Sequence, residues 1–288
     1  MLCFVHIPKT AGTTLNVIFR QSLGRRYTEF HPWSDDGRIV SPADLQMLRR
    51  WAPWIKHLGG HHVRAYSGLE HVATEICYVT FLRDPTARYL SDYYHLRHKR
   101  GRVANVHEFL GNRAWRNKQT KYIAGSEDLE AAKQILTEKF RFVGLTEAVD
   151  ESLVLLRSAL PELPLDIRYG RPRNKAWFGP AQEEVRGRWK ELEPRVLENN
   201  AVDLQLYTYV RDVLFPRQRA AAGPQLDREI QTFRETNVPR RGKMLSYKLS
   251  RAHYRLVLAA YRRYGRRKHP IDNRGLSAEY DYFGEYVF

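Results

Sequence analysis

Three short stretches of this chain carry residue types that could do chemistry together. The first is Pro8-Lys9-Thr10-Ala11-Gly12-Thr13-Thr14. It lies between an apolar run and a segment with helical periodicity. The first N–H groups of a helix lack internal acceptors and point back into such a loop, where they can hold an anion. Ala11 and Gly12 let the backbone come close, Lys9 adds a cation, and Thr10, Thr13 and Thr14 add hydroxyl donors. The phosphate loop GxxxxGK[ST] is absent, because the lysine here precedes the glycine. Taken alone, the stretch is equally an ordinary strand-to-helix turn with a solvated lysine. The second stretch is Arg83-Asp84-Pro85, with Arg88 and Ser91 following. A guanidinium can grip a phosphate through two parallel N–H bonds. Ser91 lies about two helical turns further on, and a bend at Pro85 would let both side chains reach one anion. The competing reading pairs Arg83 with Asp84 or another carboxylate. The third stretch is Gly59-Gly60-His61-His62-Val63. A neutral imidazole near its usual pKa can take a proton at neutral pH.

These residues need a frame. Leu2 to Ile7 (LCFVHI) is an apolar run ended by Pro8 and reads as a buried strand. His6 reads as a packed strand residue. Thr13 or Thr14 can cap a helix to about Leu23, with Leu15, Ile18, Phe19 and Leu23 on one face. Pro42 to Trp51 is a second helix, with Ser41 as its cap. Further strands fall within Ile55 to Val63, Ile76 to Leu82 and Phe140 to Leu145. Further helices fit Thr86 to His98, Leu129 to Lys139, Glu147 to Leu160, and Glu183 to Tyr209 broken at Pro194. Strands alternating with helices predict an α/β fold around a mostly parallel sheet. Ligands in such folds sit beyond the carboxyl ends of the strands, where strand order reverses. Adjacent strand residues face opposite sides, so one of His61 and His62 is expected to face the cleft.

Composition narrows the function classes. The 288 residues are 43% hydrophobic and 12% aromatic, which supports a core and excludes wholesale disorder. No run of about 18 apolar residues occurs, so a membrane-spanning helix is excluded. Cys3 and Cys77 are the only cysteines, which excludes a disulfide scaffold; both sit in apolar strands. With 48 basic and 32 acidic residues the net charge is +16, which suggests an anionic partner. From Pro216 to the end, 16 basic residues face 7 acidic ones, so more than half of the excess lies there. That shift divides the chain into 1–215 and a basic, helical extension, 216–288. Arg217 to Gly223 reads as a linker or a weak helix. Within the extension, Leu245 to Tyr264 can place Tyr247, Tyr254, Val257, Leu258, Tyr261 and Tyr264 on one helical face among arginines. Such a helix can dock over a cleft, lie on an anionic membrane surface, or simply pack. No secretory signal is visible, so a soluble, cytoplasmic protein is expected.

HIPKTAGTTL and TFLRDPTARYLSDYY together resemble the sulfotransferase family, most closely its carbohydrate branch with its many bacterial members. Weaker echoes follow in Asn117-Lys118-Gln119-Thr120, in Phe142 to Glu147 and in Asn200 to Tyr207, so the resemblance covers roughly 1–215. It implies a P-loop-like parallel sheet and 3′-phosphoadenosine 5′-phosphosulfate (PAPS) as sulfate donor. The loop Lys9, Thr10, Ala11, Gly12, Thr13, Thr14 would hold the 5′-phosphosulfate, and Arg83 and Ser91 the 3′-phosphate. Lys9 would stabilise the leaving oxygen. The Gly60-His61 pair would supply the base; matching on Val63 instead selects His62. The acceptor implied is a hydroxyl, of a carbohydrate. No metal is required, and the metal reading of His57, His61 and His62 lacks an accompanying carboxylate or cysteine. Arg171, Arg173 and Asn174 fall where members of the family approach the nucleotide, or form a solvated basic loop. A nucleotide kinase would need a phosphate loop of the GxxxxGK[ST] kind and a metal-holding carboxylate. A polyanion-binding protein is the remaining alternative, but no nucleic-acid-reading module is evident.

Overall fold

The computed structural model describes residues 1–32, 39–100 (backbone alone at 99 and 100), 103, 105–169 and 179–238, together with Leu249, Ala252 and Leu256. Five strands form one parallel sheet: β1 (Leu2–Val5), β2 (Tyr27–Glu29), β3 (His57–Gly60), β4 (Cys77–Leu82) and β5 (Phe140–Leu145), in the order β2-β3-β1-β4-β5. The chain leaves central β1 toward β2 on one side and leaves β3 toward β4 on the other. Strand order therefore reverses beside β1, where an open α/β sheet places its ligand. Val5, the last residue of β1, pairs with Gly60 on one side and Thr80 on the other. The three chemical stretches thus start from neighbouring strands at one edge of the sheet.

The helices are α1 (Gly12–Leu23), α2 (Pro42–Trp51), α3 (Pro85–Arg100), α4 (Val106–Gly111), α5 (Lys118–Ala124), α6 (Leu129–Glu138), α7 (Val149–Ala159), α8 (Pro180–Gly187), α9 (Trp189–Asn199), α10 (Ala201–Tyr209), α11 (Phe215–Ala221) and α12 (Leu226–Thr236). The main core joins both faces of the sheet to α1, α7 and α12, through residues such as Phe4, Phe19, Phe81, Leu153 and Phe233. A second cluster gathers α3, α4, α8 and α9 around Tyr89, Tyr93, Phe109 and Trp115. The exposed edge of β5 is closed by side chains. Gln218 of α11 bonds both Val143 N (2.8 Å) and Val143 O (2.9 Å), and Ser152 does the same for Leu145. Capping an edge in this way removes a template for unwanted strand pairing.

Several details depart from expectation. β2 is an additional strand, too short at three residues to show periodicity. α1 is capped by Ala11 in left-handed conformation, with no side-chain cap, rather than by Thr13 or Thr14. The capping box of Ser41 and Asp44 forms as expected on α2. Pro194 lies inside α9; the breaks fall at Arg188 and Asn200 instead. Residues 217–221 are helical, in α11. β3 ends at Gly60, so His61 and His62 lie in the turn beyond it rather than on opposite faces of a strand. Leu249, Ala252 and Leu256 are helical and exposed, while the aromatic face expected between Leu245 and Tyr264 lies outside the described residues, as do Arg171, Arg173 and Asn174.

Candidate active site

The loop after β1 is held open by its backbone. Lys9 (φ 69°) and Ala11 (φ 62°) both take the left-handed conformation that side chains rarely adopt. Alternation of this kind turns successive N–H groups toward one side, the geometry of an anion-binding nest. Thr14 N (2.9 Å) and Leu15 N (3.2 Å) both reach Ala11 O, so the N–H groups of Gly12 and Thr13 precede the first intrahelical bond. Thr10 is fully buried and its hydroxyl donates to Ile7 O (2.9 Å), bracing the neck of the loop. Thr13 is exposed and Thr14 and Lys9 are half-buried.

The loop after β4 meets this one directly: Arg83 Nη1 donates to Lys9 O at 3.2 Å. Burial pulls the Arg83 guanidinium below its ordinary pKa and Arg88 adds to the shift, while Glu147 and Asp84 oppose it. A bound anion would relieve that deficit, so the residues present suit a phosphate. Arg83 is held at its backbone by Gln119, whose amide accepts from Arg83 N (2.9 Å) and donates to Arg83 O (2.9 Å). Asp84 Oδ1 accepts from Ala87 N (2.8 Å), starting α3. Ser91 is half-buried on α3, between the fully buried Arg88 and Asp92.

The expected base and its alternative are both buried. His61 is 8% exposed and His62 5%. His61 Nδ1 lies 2.9 Å from His6 O. A carbonyl only accepts, so Nδ1 carries the proton and Nε2 is the basic nitrogen of the neutral ring. Burial holds this imidazole well below its ordinary value of 6.5, with His6, His62 and His31 adding to the effect and the His6 carbonyl opposing it. Arg64 steadies the turn by donating to His61 O (2.5 Å), its guanidinium stacked 3.7 Å over the Tyr122 ring. The His62 ring instead neighbours His31, at 4.9 Å between centroids. His57 lies at the opposite end of β3, where its Nδ1 accepts from Leu2 N (3.2 Å). Among the described residues, no group of three His, Cys, Asp or Glu side chains is placed to hold a metal.

The later sequence blocks form a brace behind Arg83. Asp203 accepts from Gln119 N (3.0 Å), Thr120 N (2.8 Å) and Thr120 Oγ1 (2.7 Å). Asn117 Oδ1 accepts in return from Val202 N and Asp203 N. Glu147 accepts from Asp84 N (2.9 Å) and Tyr207 OH (2.9 Å). No individual role was legible for Gln119, Asp203 or Glu147 in the sequence, because their partners lie 36 to 84 residues away. The blocks themselves were visible as echoes of a known pattern.

A search of the curated proteins finds no match. A family model described as the sulfotransferase family matches residues 1–150, just over half of the 288. The matched span contains the loop after β1, the Arg83 turn, His61 and His62, and the whole parallel sheet. With a nest after β1 in contact with an arginine after β4, geometry and match agree: the chain belongs to the sulfotransferase family.

Proposed function

We propose that the chain transfers a sulfuryl group from PAPS to a hydroxyl, with a carbohydrate as acceptor. The observation that carries this reading is the Arg83–Lys9 contact, which sets the loops after β1 and β4 side by side next to the switch point. The first loop, Lys9 to Thr14, holds the 5′ end of the donor through the N–H groups of Gly12 and Thr13 and the hydroxyls of Thr13 and Thr14. Arg83 and Ser91 hold its 3′-phosphate. His61 Nε2 takes the acceptor's hydroxyl proton. The acceptor oxygen forms the new bond to sulfur as the bond to the bridging phosphate oxygen breaks. The departing electron pair stays on that oxygen, where the Lys9 cation stabilises it. Positioning and electrostatics dominate such transfers, as they do for phosphoryl groups. The excess of basic residues beyond Pro216 supplies a field that attracts an acidic glycan or an anionic membrane surface. Among the described residues, no helix is long and apolar enough to cross a membrane.

The test is a calorimetric titration of 3′-phosphoadenosine 5′-phosphate against ATP. Preferential binding of the 3′-phosphorylated nucleotide is expected. Tight binding of ATP with no preference for the 3′-phosphate would overturn the proposal in favour of a nucleotide kinase.

A further inference from the structure

His6 occupies a place that simple packing does not require. Its ring lies where a side chain on Gly12 would be: a Cβ at Gly12 would stand 1.7 Å from His6 Nε2. Gly12 therefore serves the protein's own imidazole as well as the close approach of an anion. The ring also stacks on His61, with centroids 3.8 Å apart and planes 27° from parallel. Phe4 lies 5.3 Å away at the sheet side. The ring is tethered by Asn16 of α1, whose Nδ2 is 3.4 Å from His6 Nδ1 and whose Oδ1 accepts from Tyr27 OH (2.6 Å). The backbone of His6 contributes as well: its N donates to Gly60 O (3.2 Å) and its O receives His61 Nδ1. One residue thus touches the first turn of the anion loop and both the ring and the turn of the histidine assigned as base.

We propose that His6 is a positioning residue: its ring is the spacer that sets the distance and orientation of His61 relative to the anion loop. The proposal rests on the donor reading above. Removing the ring opens a gap between Gly12 and His61, admits water and frees the His61 ring to turn. A misplacement of about 1 Å at a reacting group costs on the order of 100-fold in rate. The His6 ring packs against Gly12 of the loop, but its hydrogen bond goes to Asn16 and not to the phosphate grips at Lys9 to Thr14, Arg83 and Ser91, so nucleotide affinity should change far less than turnover. Among the described residues, the charged and titratable groups around His61 include His6, His62, His31 and, through its bond to His61 O, Arg64.

The experiment compares His6→Ala, His6→Phe and the wild-type chain, each labelled at histidine for NMR titration of the His61 ring. Affinity for 3′-phosphoadenosine 5′-phosphate and turnover of PAPS with water as acceptor are followed in parallel. In His6→Ala, turnover should fall about 10- to 100-fold while nucleotide affinity stays within about threefold of wild type. The His61 titration should move up toward 6.5 as its burial is relieved. His6→Phe keeps a stacking ring and should keep the low titration and most of the turnover. Should His6→Ala not fold, Asn16→Ala leaves the ring but removes its tether, and must shift the same readouts in the same direction. An unmoved His61 titration in folded His6→Ala or in Asn16→Ala overturns the positioning role. Failure of the wild-type chain to bind 3′-phosphoadenosine 5′-phosphate overturns the donor reading instead, and the proposal with it.

Discussion

At the scale of single residues, burial separates the candidates for meeting a substrate from the residues that hold the frame. Lys9 and Arg83 are half-buried cations at the mouth of the site, and neither anchors the core. Lys9→Ala and Arg83→Ala should each cut sulfuryl transfer by about 10²–10³-fold or more, with little change in melting temperature. Retained transfer in either variant removes that residue from the site. His61→Ala should lose about 10²–10⁴-fold, and His62→Ala should keep most of its turnover. Arg88 is different, although it lies in the same motif. It is fully buried with Asp92, its Nη1 2.6 Å from Asp92 Oδ2, and Lys118 Nζ lies 3.7 Å from the same oxygen. Among the described residues, Arg88 Nε and Nη2 have no hydrogen-bond partner. Asp92→Asn would remove the buried carboxylate charge that Arg88 and Lys118 share and should destabilise the fold by about 3–5 kcal/mol in urea titrations. The double variant Arg88→Met with Asp92→Leu should recover only part of this loss, because Lys118 still loses the Asp92 carboxylate beside it.

At the scale of elements, the site is a product of loops that short strands deliver and helices brace. Gln119 on α5 ties Arg83 at both its N–H and its carbonyl, and Asp203 on α10 fixes α5 in turn. Gln119→Leu should therefore weaken nucleotide affinity about tenfold, and because Gln119 is fully buried the unsatisfied Arg83 N–H and C=O should also cost about 1–3 kcal/mol of stability. Asp203→Ala removes the acceptor of two buried N–H groups and should cost about 3 kcal/mol of stability. Equal affinity in wild type and Gln119→Leu would show that Arg83 needs no such brace. Periodicity and punctuation made four of the five strands and most helix spans legible, because apolar runs such as CYVTFL ended at recognisable turns. β2 escaped because three residues are too few to show a period. Pro194 was misplaced as a break because a helix can keep a proline when packing holds it on both sides; Leu192 and Val196 are buried beside it. Spacing and residue type single out the motif residues as candidates, and the structure brings the loops that carry Lys9 and Arg83 into contact. What lay hidden was the left-handed backbone at Lys9 and Ala11, and the partnership of His6 with Gly12, since neither has a composition signal.

At the scale of the whole molecule, two features predict that stability falls in acid. The first is the net charge of +16, which opposes compaction through self-repulsion and grows as histidines protonate. The second is the burial of neutral imidazoles. Burial and the Lys9 charge push His6 down to about 3, from an ordinary value of 6.5. Burial and the terminal amine push His57 down to about 4. In the unfolded chain both rings take up protons near 6.5, so below that pH the unfolded state binds more protons than the folded one. The stability they contribute is complete above 6.5 and is lost as pH falls, down to about 4 for His57 and about 3 for His6. The melting temperature should therefore be flat above neutrality and drop steadily below 6.5, with added salt restoring the part due to self-repulsion. His57→Gln tests the second cause separately. Its amide oxygen can still accept from Leu2 N, yet it cannot titrate, so the slope between 6.5 and 4 should flatten while the neutral-pH melt stays close to wild type. An identical slope in this variant would assign the acid sensitivity to self-repulsion and to the remaining histidines instead.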